Sequence, residues 1–549
     1  MLSDGMKRIA VLDKTVCTKD KCGYVCVNVC PVNKMKKECI TIKDDGFPFI
    51  SEDLCVGCSI CVKKCPVGAI TIINLTKDLG QPVYSYGKNA FRLHGLPIPK
   101  ENAIVGLIGK NGIGKTTSIR LLTKQLEPKY DKNNFEYKNY FEHLKNNLSL
   151  SIKPQNINKM RAYNMKVKDL LKELGIKLDY KYILDRNIRD LSGGELQKLA
   201  IDIAISKKAD FYYIDELTNY LDIKERLQTA IKLKEFAENK NLVVVDHDLI
   251  IFDYLVDYVY VFFGQEDVYG AVSSIKNARN GINEYLNGFL KSENLRIRDF
   301  EIKFSTFSEE ESKKETIFSY PKIEKDFGSF HVHVESGEVR AEVIGIVGGN
   351  ALGKTTFMKE LSLMKDLNIA YKPQYLNIKD VLVKSLLKGD KFIIQKAMDM
   401  LNIKRSFLEK KETELSGGQQ QRIEIINVLS KDADIYLLDE PTAFLDIEER
   451  LMLSELIRLF VEYKKKPVFV IDHDISFIDR ISSRLILFKG IRSKKGYGSK
   501  PMDKIEGINE FLKIMDITMR RDIDTHRPKI NKPDSNLDKK QRLENKYFG

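Results

Sequence analysis

Residues 109–117 read Gly109-Lys110-Asn111-Gly112-Ile113-Gly114-Lys115-Thr116-Thr117, and residues 348–356 read Gly348-Gly349-Asn350-Ala351-Leu352-Gly353-Lys354-Thr355-Thr356. Each stretch opens the same series. In the first, Gln155, Leu191-Ser192-Gly193-Gly194-Glu195, Asp215-Glu216, Asp222 and His247 follow; in the second, Gln374, Leu415-Ser416-Gly417-Gly418-Gln419, Asp439-Glu440, Asp446 and His473. The step from Lys115 to Lys354 is 239 residues, from Ser192 to Ser416 and from Glu216 to Glu440 it is 224, and from His247 to His473 it is 226. Six elements recurring in one order at nearly one period are a duplication.

The residue types point to nucleotide chemistry. Glycines such as Gly109, Gly112, Gly114, Gly348 and Gly353 let backbone N–H groups close on phosphate oxygens, and a following helix adds positive potential at its N-terminus. Lys115 and Lys354 are placed to reach the β- and γ-phosphates, and the Thr116 and Thr355 hydroxyls to ligate Mg²⁺. Asn111, Asn350, Thr117 and Thr356 complete the candidate phosphate-binding set. Ile104–Ile108 reads as a buried parallel strand and Thr117–Leu126 as a helix. Phe211–Ile214 reads as a second strand that delivers Asp215 to the Mg²⁺ shell and Glu216 to the attacking water. Leu242–Val245 delivers Asp246, His247 and Asp248, with His247, like His473, placed to sense the γ-phosphate. In the second copy the strands are Glu342–Val347 and Ile435–Leu438, ending on Asp439 and Glu440.

The Leu-Ser-Gly-Gly run followed by Glu or Gln resembles the ATP-binding-cassette superfamily. The resemblance implies two halves head to tail, each nucleotide lying between the phosphate loop of one and the Ser-Gly-Gly of the other. Lys115, Thr116, Gln155, Asp215, Glu216 and His247 would then face Ser416, Gly417 and Gly418. Lys354, Thr355, Gln374, Asp439, Glu440 and His473 would face Ser192, Gly193 and Gly194. It also implies Gln155 and Gln374 as Mg²⁺ ligands beside Thr116, Asp215, Thr355 and Asp439. Three positions depart from the pattern: Leu217 stands where Pro is usual, Asp246 where Glu is more common, and Ala351 replaces the middle glycine of the second loop. A Cβ at 351 crowds that loop, which puts the second site's turnover in more doubt than its binding. Lys115 to Gln155 spans 40 residues but Lys354 to Gln374 only 20, so the first half carries an insertion near 130–150. Tyr137, Tyr140, Phe141 and Leu144 form a helical stripe there, read as packing in preference to a binding face.

All nine cysteines lie between Cys17 and Cys65. The run Cys55-x2-Cys58-x2-Cys61-x3-Cys65-Pro66 has bacterial ferredoxin spacing, and Cys17-x4-Cys22-x3-Cys26-x3-Cys30-Pro31 is a wider version. In such a pair the fourth cysteine of each run ligates the other cluster. Cys17, Cys22, Cys26 and Cys65 are thus assigned to one [4Fe–4S] cluster, and Cys55, Cys58, Cys61 and Cys30 to the other. Cys39 is read as a small buried hydrophobe. The alternative is a pair of zinc sites. Lys14, Lys19, Lys21, Lys34, Lys36 and Lys37 around the first run suggest a docking surface.

A chain of 549 residues is too long for a single core. No apolar run reaches a membrane span and the start lacks a signal-peptide core, so a cytoplasmic protein is expected. The formal charge of +13 fits a polyanionic partner such as RNA, or simply a lysine-rich proteome. The fold expected is α/β: two tandem P-loop cassette domains head to tail, preceded by an α+β two-cluster ferredoxin-like domain. The divisions are residues 1–76 for the clusters, 77–290 for the first cassette, 291–305 for a charged hinge (Glu293 to Asp299), 306–512 for the second cassette, and 513–549 for a basic tail. That tail, with Arg520-Arg521-Asp522 and Arg527-Pro528-Lys529-Ile530-Asn531-Lys532, reads alone as disordered or nucleic-acid binding, and with Arg296–Asp299 as half of a two-part hinge.

The cluster domain, two cassettes and two Arg-rich segments together resemble the E-type ATP-binding-cassette family of ribosome-recycling ATPases, also called RNase L inhibitors. The Cys17–Cys30 spacing, Asn-Ala-Phe91-Arg-Leu-His94, Glu293–Asp299 and Arg520–Lys532 carry the resemblance. It implies an ATPase acting with Mg²⁺ and two [4Fe–4S] clusters, with closure on ATP moving the cluster domain. It implies as partners the small ribosomal subunit and its rRNA, a release factor and initiation factors, with the chain a monomer holding its own cassette pair. It also implies that Tyr86 or Phe91 stacks on the first adenine and Tyr320 or Phe330 on the second; core packing is the other reading of these rings. Rival readings are a redox ATPase passing electrons from the clusters, a transporter's ATPase subunit, and a DNA-repair cassette ATPase, which lacks support without a long heptad insertion.

Overall fold

The strand Ile104–Ile108 is buried at every position and takes its place in the middle of a parallel sheet. Across that sheet the order is Tyr258–Gln265, Ile104–Ile108, Asn241–Val245, Phe211–Asp215 and Leu150–Lys153, all parallel. Near-continuous runs such as Leu242-Val-Val-Val245 suit strands covered on both faces. Tyr269–Val272 pairs antiparallel with Tyr258–Gln265 and extends the sheet through Arg92–His94 and Tyr84–Ser85. The second half repeats this order with Arg484–Ile491, Val343–Gly348, Val468–Ile471, Ile435–Asp439 and Ile369–Lys372. The period seen in the chain is therefore a repeat in space. This computed structural model describes residues 8–12, 17, 19–42, 46–51, 54–74, 81–87, 91–129, 135–145, 149–176, 183–266, 268–304, 315–365, 367–403 and 405–549. Lys14, the Asn89-Ala90 pair, the stretch 305–314 and the divisions at 76/77 and 305/306 lie outside them, as does the Leu144 side chain.

One apolar cluster runs through both halves: Leu249, Phe252 and Leu286 of the first share it with Ile447, Leu451 and Phe477 of the second, with Ile302 and Phe304 between. The helix after the first phosphate loop is Lys115–Leu122, shorter at its C-terminal end than the expected Thr117–Leu126. The Thr123 hydroxyl turns back to the Ile119 carbonyl at 2.8 Å, and Lys124 adopts a left-handed φ of 55°, which stops the helix. The insertion folds as a helix, Phe135–Lys145. Tyr140 and Phe141 are buried in the first half's core and the Tyr137 hydroxyl accepts the Leu96 N–H at 2.9 Å, so the stripe is packing.

The cluster region joins the hinge through a sheet ordered Arg8–Leu12, Ile70–Asn74, Leu295–Arg296, Phe289–Leu290. The hairpin Phe289–Leu290 with Leu295–Arg296 crosses the expected division at residue 290. At the other end, the helix Lys504–Met515 runs across residue 512. The tail beyond it is ordered, with strands Met519–Arg521 and Pro528–Ile530 and the helix Asn536–Leu543, so the disordered reading is set aside. The hinge reading gains from its contacts: Arg521 pairs with Asp479 of the second half at 2.9 Å, and Arg527 with Asp253 of the first at 3.1 Å.

Candidate ATP sites and cluster centre

Each phosphate loop leaves the end of its central strand in a conformation that requires glycine. Gly109 and Gly348 have φ near 150°, and a Cβ at either would stand about 2.6 and 2.5 Å from a carbonyl of the adjacent strand. The loop then turns its lysine back over itself. Lys115 Nζ donates to the carbonyls of Gly109 and Lys110 at 2.7 and 2.6 Å, and Lys354 Nζ to those of Gly348 and Gly349 at 2.9 and 2.8 Å. Burial lowers both ammonium groups, Lys354 to about 8, against the pull of nearby carboxylates. Gly112 takes φ 67° in the first loop, and Ala351 takes φ 56° in the second. A left-handed alanine costs about 1–2 kcal/mol, the crowding expected from the sequence.

The acid-bearing strands end against these loops. Thr116 Oγ1 donates to Asp215 Oδ2 at 3.1 Å. In the second half both oxygens of Asp439 are buried without a well-formed hydrogen bond among the described residues, and burial pushes this carboxyl up to about 6. A buried acid pair beside a threonine hydroxyl in this state is a donor set that fits a divalent cation. Glu216 and Glu440 both sit at left-handed φ, 54° and 48°. Side chains that sequence reading missed hold the carbonyls of that strained turn. Lys153 Nζ donates to the Asp215 and Glu216 carbonyls at 2.6 and 2.8 Å, and Gln197 to those of Glu216 and Leu217 at 2.7 and 2.8 Å. Lys372 and Gln421 do the same in the second half. Their signal lay in the duplication: each lysine stands two residues before Gln155 or Gln374, each glutamine five after Ser192 or Ser416. Asp246 accepts from the Thr218 N–H and hydroxyl, both at 2.7 Å, so the shorter acid caps that turn.

The two glutamates differ in their partners. Gln155 and Asn219 each donate an amide N–H to Glu216, one per carboxylate oxygen. Burial and then Asp215 push this carboxyl up to about 7. Gln374 donates to Glu440 Oε1 at 2.8 Å, and His473 Nε2 stands 3.4 Å from the same oxygen. Burial would raise Glu440, but His473, Gln374 and Lys354 outweigh it and bring it down to about 2. His247 is half-buried, its Nδ1 enclosed and without a hydrogen-bond partner among the described residues, and it lies with Arg450, Asp474 and Phe477 along the junction of the halves. The two histidines thus occupy different settings.

The halves meet head to tail. The Asn111 N–H donates to Asp446 Oδ2 at 2.8 Å, and the Asn350 N–H to Asp222 Oδ2 at 3.1 Å, so each phosphate loop is touched by the opposite half. Ser192 and Ser416 cap the helices Gly193–Ser206 and Gly417–Ser430, with Gly193, Gly194, Gly417 and Gly418 in their first turns. Among the described residues neither serine is hydrogen-bonded to the facing phosphate loop. Tyr86 is half exposed with its hydroxyl 3.2 Å from Thr117 Oγ1, and Phe91 borders Gly114. Phe330 borders Gly353. Tyr320, by contrast, is 1% exposed and packs on Phe357 and Phe469, so it is a core ring and cannot stack on a base.

In the cluster region Cys30, Cys55, Cys58 and Cys61 line one small pocket, the four cysteines that spacing had grouped. Cys39 is buried against Cys30 and Cys55 on its wall, and burial with those neighbours pushes its thiol up to about 12. Cys17 and Cys22 lie beside Cys26, whose thiol is raised chiefly by burial. Backbone N–H groups of Ala10 and Ala69 donate to the sulfurs of Cys55 and Cys65, each at 3.3 Å. Thiols packed so closely are held as thiolates only by a strongly cationic centre, and the donor set fits iron–sulfur.

Comparison with known proteins agrees. The family model described as ABC transporter matches residues 99–219 and 368–443, and the 4Fe-4S binding domain matches residues 48–71. An uncharacterized ABC transporter ATP-binding protein of Methanocaldococcus jannaschii is 42% identical over all of this chain and 98% of its own length. Two solved structures are similar over 99% of their own chains. One, ribosome-bound archaeal Pelota and ABCE1, is 42% identical over 99% of this chain with a TM-score of 0.81. The other, the archaeal ribosomal stalk protein aP1 with the archaeal ribosome recycling factor aABCE1, is 41% identical over 85% with a TM-score of 0.79. Among the described residues no helix is long and apolar enough to cross a membrane. An ATPase with two cassettes and an iron–sulfur domain, the chain belongs to the E-type ATP-binding-cassette family of aABCE1.

Proposed function

We propose that this protein recycles ribosomes in the cytoplasm, splitting them after termination and holding the small subunit through its rRNA, with a release factor and initiation factors as further partners. The observation that carries this reading is the sheet in which hinge strands Phe289–Leu290 and Leu295–Arg296 continue the cluster-region strands. Any rotation of the cassettes about the hinge moves that sheet, and the cluster region with it. The working divisions are those expected from sequence, with the hinge starting at the Phe289 hairpin and the tail after Met515.

Within each site the phosphate loop and its lysine bind ATP. Thr116, Gln155 and Asp215, or Thr355, Gln374 and Asp439, hold Mg²⁺, which supplies charge neutralisation at the phosphates. Glu216 and Glu440 orient the attacking water and accept its proton. His247 and His473 sense the γ-phosphate, and the Ser-Gly-Gly of the facing half closes the site. Tyr86 or Phe91 supports the first adenine, and Phe330 the second. Two [4Fe–4S] clusters are held by Cys17, Cys22, Cys26 and Cys65 and by Cys30, Cys55, Cys58 and Cys61. Their folding energy makes a small domain rigid enough to act as a lever.

The test is co-sedimentation with archaeal ribosomal subunits in ADP, ATP and a non-hydrolysable analogue at two salt concentrations. Binding to the small subunit that needs the analogue, and that weakens steeply with salt, is expected. Glu216→Gln with Glu440→Gln should make ATP itself sufficient and the complex long-lived. Free exchange of that double variant in ATP would overturn the proposal.

A further inference from the structure

The two phosphate loops are tied to the opposite half by different cations. At the first loop Lys110 reaches Glu448 of the second half at 2.8 Å, and Arg298 holds the same carboxylate at 2.6 Å. At the second loop the equivalent positions are Gly349 and Lys224, so that pair cannot form. The space is taken from elsewhere. Arg492, in the turn between strands Arg484–Ile491 and Lys495–Gly498, has its guanidinium 3.7 Å from where a Cβ at residue 349 would stand. From there it crosses to the first half, pairing with Asp222 and, at 2.9 Å, with Glu225. The position matching Arg492 in the first half is Glu266, whose charge acts against Glu449. The arginine therefore has no counterpart at the first site.

Its target explains why it matters. Asp222 is 1% exposed at its side chain and caps the helix Ile223–Phe236 by accepting the Glu225 N–H at 3.0 Å through Oδ1. Its Oδ2 accepts both the Asn350 N–H of the phosphate loop and the Arg492 guanidinium. We propose that Arg492 is a positioning residue of the second ATP site, holding Asp222 of the first half against the second phosphate loop. This rests on the reading above that Lys354 and its loop bind ATP. Asp222 stays near the loop because two donors share one oxygen; without the guanidinium a buried carboxylate keeps one amide and loses its charge partner. Arg492 pairs with Asp222 and Glu225 and, among the described residues, not with Glu440, so its contribution is to site assembly and not to the chemical step.

The test uses the full-length holoprotein in two backgrounds, Glu216→Gln, which leaves turnover to the second site, and Glu440→Gln, which leaves it to the first. Arg492→Ala should raise the KM for ATP about fivefold in the first background with kcat within about twofold, and change KM by less than about twofold in the second. Arg492→Lys should recover most of the loss, since an ammonium keeps the charge while giving up the fork. In Glu225→Gln the effect of Arg492→Ala should shrink. An unchanged KM in the Glu216→Gln background, or an equal rise in both, overturns the proposal. If the Glu216→Gln/Glu440→Gln protein keeps parental turnover, the assignment of the acids has failed instead. A fluorescent ATP analogue titration then decides about Arg492: two sites in the parent, one of them weakened in Arg492→Ala, supports it, and two unchanged sites overturn it.

Discussion

Glu216 and Glu440 stand on matching left-handed turns, yet one is gripped by two amides and the other by an amide and an imidazole. The exchange follows from one sequence difference and one difference of setting. Asn219 of the first half is replaced by Ala443 in the second, and His247 faces the junction where His473 faces its glutamate. An amide on each oxygen fixes the plane of the Glu216 carboxylate, so removing Asn219 frees a rotation that costs alignment with the attacking water. Asn219→Ala should lower the turnover remaining in Glu440→Gln protein about tenfold while leaving that of Glu216→Gln protein within about twofold, as read by steady-state phosphate release. Phosphate-loop residues, acids and paired cysteines were legible because each sits at a fixed offset from a motif. The Asn219 clamp was not, because it depends on a side-chain direction set by the fold. Tyr320 stood between adenine stacking and core packing for the same reason: ring type and nearness in sequence do not reveal which face of the sheet a strand residue takes.

At the scale of elements, the strands were readable from their apolar runs and the helix ends were not, since Thr123 and Lys124 terminate a helix whose pattern continues to Leu126. The insertion was recognisable by the 40-residue gap, and its packing by the aromatic stripe. Its attachment point emerges only in three dimensions. The Tyr140 hydroxyl meets the Tyr213 hydroxyl at 2.5 Å and donates to the Leu122 carbonyl at 2.9 Å, joining the insertion to both the acid-bearing strand and the phosphate-loop helix. Burial raises the Tyr140 phenol well above its ordinary value, so this junction stays neutral. Tyr140→Phe leaves the Tyr213 hydroxyl enclosed without its partner and should cost about 1–3 kcal/mol. Tyr140→Ala also opens a cavity and should cost about 3–5 kcal/mol. Calorimetry should show the loss in the transition of the first half. A Tyr140→Ala protein as stable as the parent would mean the helix is only loosely laid on the surface.

For the whole molecule the tail acts as a strap across the two halves, and the sequence showed only that it was basic. Arg527 is 1% exposed; it donates to Asn283 at 2.6 Å and pairs with Asp253 at 3.1 Å, and Lys529 reaches the same aspartate at 2.8 Å. Arg521 ties the adjoining strand to Asp479 of the second half. Removing one partner of an enclosed ion pair leaves the other desolvated, so Arg527→Ala should destabilise docking of the strap by about 3 kcal/mol. The two cassettes should then unfold as separate calorimetric transitions, and protease should cut within 516–549 first. Acid should have a related effect through Asp522. Burial pushes this carboxyl up, but Arg527, the Thr525 N–H and Lys529 outweigh it and hold it below the ordinary range. A carboxyl held low in the folded state adds stability that is complete above its unfolded value near 4 and disappears as pH falls through its folded value. The strap should therefore remain docked from neutral pH down to about 4 and release below that. In Asp522→Asn protein that acid-dependent part of the release should be absent. If instead the strap comes away between pH 5 and 7, a titrating group other than Asp522 governs the joint between the halves.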